Sequence, residues 1–262
     1  MMQRRPMLAY HDPQFLDSDE ARPVRILAEY LEPLRAFREA HVHDTVVFFG
    51  SARARAGGPL EHYVEAATEL ARLVTEWSLA LPQKGRLLVC SGGGGGIMEA
   101  ANRGAALAGG RSIGLNIGLP HEQLPNRYIT PELLFEFHYF FMRKLWFAHL
   151  ARALVVFPGG FGTIDELFEI LTLAQTRKLD RRIPVLLYGS AYWQEVINFA
   201  ALVRHGVIAA EDLSLFAFVD EPRAALEALK RGIAFEPAIE ARLPAFAKSR
   251  HCCQGPDPAG NS

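Results

Sequence analysis

Two glycine-rich segments and one pair of adjacent cations are the parts of this sequence whose residue types could do chemistry. The first is Ser91 followed by five consecutive glycines, Gly92 to Gly96, between an apolar run and a segment of helical period starting near Ile97. Without side chains the backbone can approach a ligand closely, and the free N–H groups at the start of a helix meet an anion with the favourable end of the helix dipole. The second is VVFPGGFGTIDELFEIL (155–171), again an apolar run passing through an elbow, with Gly159, Gly160 and Gly162, into a helical segment. Thr163 can offer a hydroxyl there, and Glu166 a carboxylate. The third is Arg143-Lys144, set inside the aromatic-rich segment FHYFFMRKLWFAHLAR (137–152), where two cations require a carboxylate, a phosphate or a route to solvent. A guanidinium suits bidentate recognition of phosphate or carboxylate.

Each signal has a plainer structural reading. Glycines permit tight turns. Thr163-Ile164-Asp165-Glu166 matches a capping box, in which Thr163 caps the helix and Glu166 returns a hydrogen bond to the backbone. Asp165 and Glu169 read as solvated or capping groups, and the cation pair could snorkel to the surface. The glycine run does not follow G-x-G-x-x-G, because Ile97 or Met98 falls where the third glycine belongs, and no acidic residue follows at the expected interval, which disfavours NAD. No Gly-Lys-Ser/Thr ending is present, so the lysine and the magnesium-binding hydroxyl of a P-loop are missing.

The elements that must position these residues alternate between short β-branched or aromatic runs and longer helical segments, the pattern of βαβ units. Strands are expected at 45–50, 86–90, 111–117, 134–138, 153–157, 183–188 and 215–219. Helices are expected at 22–40, 60–80, 97–108, 140–151, 163–178, 191–204 and 221–231. The strands show little alternation, as expected when helices cover both faces, so the fold class is α/β, a Rossmann-like doubly wound and mostly parallel sheet. Residues 1–20 and 235–262 read as flexible tails around one Rossmann-like domain at 21–234.

Composition narrows the partners. With 28 Lys+Arg against 29 Asp+Glu there is no global basic field to attract nucleic acid or an anionic membrane, so any anion site must be local. Cys90 and the adjacent Cys252 and Cys253 form neither a disulfide framework nor a zinc spacing, and no signal peptide or membrane span is read. A cytoplasmic protein without metal or cofactor is expected.

Taken together with FFGSARAR (48–55), the three segments resemble the Lonely Guy family of cytokinin riboside 5′-monophosphate phosphoribohydrolases. The resemblance covers about residues 44–205. It is most specific at P-G-G-x-G-T-x-x-E, matched by Pro158, Gly159, Gly160, Gly162, Thr163 and Glu166, with Arg143 and Lys144 at the family's distance upstream. It implies hydrolysis of the N-glycosidic bond of a nucleoside 5′-monophosphate to free base and ribose 5-phosphate, by at least a homodimer. Arg143 and Glu166 take the places of the catalytic arginine and glutamate. The implied substrate and phosphate contacts are Gly50, Ser51, Gly93, Gly94, Gly95, Lys144, Gly159, Gly160, Gly162 and Thr163. Where the commoner members read M-H-E-R-K, this chain has Phe140-Phe141-Met142-Arg143-Lys144, closer to the longer bacterial branch, for which AMP joins N6-substituted AMP as an expected substrate. Relatives have also been labelled lysine decarboxylases, but no pyridoxal phosphate site is identifiable. The rival from another class is a non-catalytic nucleotide carrier or sensor. A carboxylate beside an anionic ligand argues against it, since repulsion would weaken binding.

Overall fold

The computed structural model describes residues 7–55, 57–118, 124–179 and 181–233. The expected segment 235–262, with Cys252 and Cys253, lies outside the described residues. In chain order the elements are α1 (Pro13–Leu16), α2 (Arg22–Glu39), β1 (Asp44–Phe49), α3 (Glu61–Leu79), β2 (Leu87–Ser91), α4 (Ile97–Leu107), β3 (Ser112–Ile117), β4 (Leu134–Phe137), α5 (Phe140–Leu150), β5 (Ala151–Val156), α6 (Phe161–Gln175), β6 (Val185–Tyr188), α7 (Ser190–Val196), α8 (Phe199–Arg204), β7 (Ala217–Val219) and α9 (Pro222–Gly232). The first described residues carry structure of their own: Asp12 caps α1 by accepting from the amides of Gln14 and Phe15.

The strands form one seven-stranded sheet in the order β4-β3-β2-β1-β5-β6-β7. Every adjacent pair is parallel, so the sheet is wholly rather than mostly parallel. Residues of β1 alternate between its faces, as the two-residue period of a strand requires. Val47 and Phe49 join one core with Phe37, Trp146, Leu167 and Trp193 from α2, α5, α6 and α7. Val46 and Phe48 join the other with Leu70, Ala101 and Leu229 from α3, α4 and α9. This is the doubly wound α/β fold, and helix cover on both faces is why the central strands are apolar throughout.

Two features of the first layer set up the site. Trp146 on α5 is fully buried, stacks on Tyr30 at 5.6 Å, meets Phe37 edge-on at 5.2 Å, and donates its indole N–H to the Glu29 carbonyl at 3.0 Å. It fixes α5 against α2, and truncation of such a side chain typically costs about 3–5 kcal/mol. The expected helix 191–204 is two helices: Ile197 is extended, and the Asn198 side chain accepts from the Ala201 amide at 2.9 Å to start α8 afresh. An asparagine that competes for backbone donors breaks the helical run.

Candidate active site

A cleft of about 680 Å³ opens beyond the carboxyl ends of β1, β2 and β5. The strand order reverses at β1, which has β2 on one side and β5 on the other, and such a switch point is where open α/β sheets leave room for a ligand. The loops around it are tied together by main-chain bonds. Phe157 N–H donates to Phe49 O at 2.8 Å, Ser51 N–H to Pro158 O at 3.0 Å, and Ile97 N–H to Ser51 O at 3.1 Å.

The glycines divide into two groups. A Cβ on Gly50 would lie 2.7 Å from the Ile97 side chain, and one on Gly96 would lie 2.2 Å from Ser51 O, where φ is also +64°. Those glycines let the loops close on each other. A Cβ on Gly160 or Gly162 would meet nothing within 4 Å, and Gly160 has an ordinary φ of −86°. Neither packing nor backbone conformation demands glycine there, so the missing side chains leave space over the start of α6. That start carries no side-chain cap, and its first-turn amides offer donors to an anion.

The capping box is a correction. α6 begins at Phe161 with Gly160 as N-cap, three residues earlier than a Thr163 cap requires. Thr163 and Glu166 lie inside the helix and are buried. The chain enters the helix at the elbow because Gly160 accepts from Ile164 N–H at 3.0 Å, which leaves Thr163 to pack over Gly159.

Glu166 instead meets Arg143 across the α5–α6 interface, Nη2 donating to Oε1 at 3.1 Å, with side chains only 14% and 7% exposed. The guanidinium lies 5.3 Å from the Phe140 ring and 5.7 Å from the Phe147 ring, and its buried Nε has no hydrogen-bond partner among the described residues. Burial pushes the Glu166 carboxyl up to about 7 despite the opposing charges of Arg143 and Lys144, and burial also lowers Arg143. Both groups line the cleft.

Gly50, Ser51, Gly159, Gly160, Gly162 and Thr163 line the same cleft, so the structure brings these together with Arg143 and Glu166. Lys144 points elsewhere. Its ammonium pairs with Asp165 at 2.7 Å and Glu169 at 3.3 Å, which makes those carboxylates ion-pair partners rather than caps, and it is not among the lining residues. Of the glycine run, Gly92 lines the cleft. Behind it, the Gly93 and Gly94 carbonyls accept from the Asn126 side chain at 3.0 Å each, and Gly95 packs near Ala52. Sequence reasoning missed Arg53, Met98 and Tyr192 at the cleft. Arg53 stood within FFGSARAR, whereas nothing in the sequence signalled Tyr192, which arrives on α7. Among the described residues no group of three or more His, Cys, Asp or Glu could hold a metal, and no helix is long and apolar enough to cross a membrane.

The sheet and its switch-point cleft define a Rossmann-like α/β protein. More particularly, the chain belongs to the Lonely Guy family: the family model described as "possible lysine decarboxylase" matches residues 98–229. The cytokinin riboside 5′-monophosphate phosphoribohydrolase LOG of Oryza sativa subsp. japonica is 29% identical over 178 residues, covering 67% of each chain. LOG1 of Arabidopsis thaliana, of the same description, is 33% identical over 156 residues, covering 58% of this chain and 66% of that one. Two solved structures share the fold. TM1055, a structural-genomics target, matches with TM-score 0.52 and 21% identity over 72% of this chain and 99% of its own. The molybdenum cofactor binding protein from the phototrophic bacterium Rippkaea orientalis matches with TM-score 0.50 and 18% identity over 73% and 98%.

Proposed function

We propose that this protein is a phosphoribohydrolase that cleaves the N-glycosidic bond of nucleoside 5′-monophosphates, AMP or N6-substituted AMP, to free base and ribose 5-phosphate. The observation that carries the reading is the buried Arg143–Glu166 pair beside the uncapped start of α6. The phosphoribohydrolase activity for which the Oryza sativa and Arabidopsis thaliana relatives are named supports it.

On this reading the 5′-phosphate rests on the first-turn amides of α6 and the Thr163 hydroxyl, between the elbows at Gly50–Ser51 and Gly159–Gly162. Arg143 holds the substrate and balances charge. It does no proton transfer, because its pKa is too high for a base. The carboxylate of Glu166 stabilises positive charge growing on the ribose as the C1′–N bond breaks, or takes a proton from the attacking water. The water oxygen bonds to C1′, and the departing base nitrogen gains a proton. A carrier would need the cradle but not an acid group buried against it.

The test is chromatography of AMP, GMP, CMP and an N6-substituted AMP after incubation with the protein. Appearance of free base with ribose 5-phosphate supports the enzyme; nucleotide that binds yet stays intact makes the protein a carrier or sensor.

A pH dependence follows from Glu166. Its working form is the carboxylate, and burial raises its pKa to about 7, so kcat/KM should climb with pH and level off above that value. The substrate's second phosphate ionisation falls lower, near ~6. Arg143 pulls the carboxyl down, so its removal should move the limb to still higher pH. An acid limb in the ordinary carboxylate range, about 4.3, would exclude Glu166 as the group that titrates.

The protein is also proposed to be a homodimer or larger. Of the aromatic residues in 135–147, Phe135, Phe137, Tyr139, Trp146 and Phe147 are absorbed by the core, while Phe140 and Phe141 stay 51% and 50% exposed next to exposed Leu145. An exposed apolar patch of this kind fits a subunit contact. Light scattering at micromolar concentration should give at least twice the 29.1 kDa chain mass; the monomer mass would remove this claim.

A further inference from the structure

We propose that Tyr192 is a positioning residue that fixes the polarity of the phosphate cradle by locking the Gly159–Gly160 peptide. The proposal rests on the reading of the α6 start as the phosphate site. The Tyr192 hydroxyl donates to Gly159 O at 2.7 Å across the cleft wall. In a trans peptide the C=O and the following N–H point in opposite directions. Holding the Gly159 carbonyl toward α7 therefore turns the Gly160 N–H away from α7, and that N–H has no acceptor among the described residues.

The lock has a rigid base. Its neighbour Trp193 is fully buried, and its indole N–H donates to Val156 O at 3.2 Å and Tyr188 O at 3.0 Å, which pins α7 to the ends of β5 and β6. The Tyr192 ring meets the Trp193 ring edge-on at 5.1 Å. The held peptide is soft by comparison. It lies between two glycines, and a Cβ on Gly160 would touch nothing, so side-chain bulk at residue 160 does not oppose rotation of the peptide plane. Rotation would present a carbonyl oxygen where the cradle needs a donor, and an acceptor facing a phosphate dianion is repulsive. Tyr192 is far along the chain from the elbow it controls, and it acts on the cradle rather than on Glu166.

Tyr192→Phe keeps the ring and its packing on Trp193 and removes only the hydroxyl. With the full-length protein, KM for AMP and Kd for ribose 5-phosphate should each rise about tenfold or more. The kcat should stay within about twofold, because the interaction is made equally in ground and transition states. Affinity for free adenine and the melting temperature should not move. Unchanged ribose 5-phosphate affinity overturns the lock, and so does equal weakening of ribose 5-phosphate and adenine, which would mean general damage to the cleft. If the wild-type protein itself fails to bind ribose 5-phosphate, the phosphate site falls and the lock with it, a result read before any variant is made.

Discussion

Glu166→Gln should lower base release from AMP by about 10²-fold or more while AMP still binds. The amide preserves shape, and its oxygen can still accept from Arg143 Nη2, the bond now made at 3.1 Å. What it loses is the negative charge needed as the ribose becomes cationic, and an interaction used in the transition state appears in kcat. Glu166 is inside α6 rather than in its capping turn, so helix initiation at Gly160 does not depend on it. The expected cost of exchanging a charged for a neutral acceptor is about 1–2 kcal/mol, which moves Tm by only a few degrees at this size. Arg143→Ala should differ, weakening binding and turnover together and also stability, because it strands Glu166 without its cation. Melting temperature, AMP affinity and base release decide between these roles. A Glu166→Gln protein that melts normally and cleaves AMP at the wild-type rate would leave Glu166 a purely structural group.

The second large effect concerns the phosphate. Adenosine should be a poorer substrate than AMP by about 10³-fold in kcat/KM, since it gives up several charge-assisted hydrogen bonds at the α6 start. Gly160→Ala probes the same place from the protein side. The new Cβ enters open space and suits the existing φ of −86°, so the fold should persist while AMP affinity drops. Comparable turnover of adenosine and AMP would count decisively against a phosphate at Gly159–Thr163, and so would wild-type AMP affinity in the Gly160→Ala protein.

Much of this arrangement was legible before any coordinates. All seven strands appear within a few residues of their expected positions, the central ones because apolar runs covered by helices on both faces have nowhere else to go. The glycine elbows also stood out, since strand, glycines and amphipathic helix in succession place free amides at a helix start. The capping box was a misreading, because T-x-x-E fits a cap whenever the helix begins at the threonine. Here it begins at Phe161, and the same four residues present a buried hydroxyl and a buried acid to the cleft. Lys144 could not be separated from Arg143 by sequence. Adjacent residues on a helix point about 100° apart, and that rotation sends one cation to Glu166 and the other to Asp165 and Glu169.

The sequence by itself determined the layers, the order of the βαβ units and the local identity of the anion-binding elbows, because these depend on periodicity and on glycine within a few residues. Tertiary structure decided which groups meet. Arg143 and Glu166 are 23 positions apart on different helices, and the Tyr192 hydroxyl reaches Gly159 from 33 positions away. The raised acidity range of Glu166, the partner of Lys144 and the orientation of the Gly159–Gly160 peptide all follow from burial and from contacts between elements. No local pattern encodes those, because desolvation and charge pairing depend on which neighbours the packing supplies.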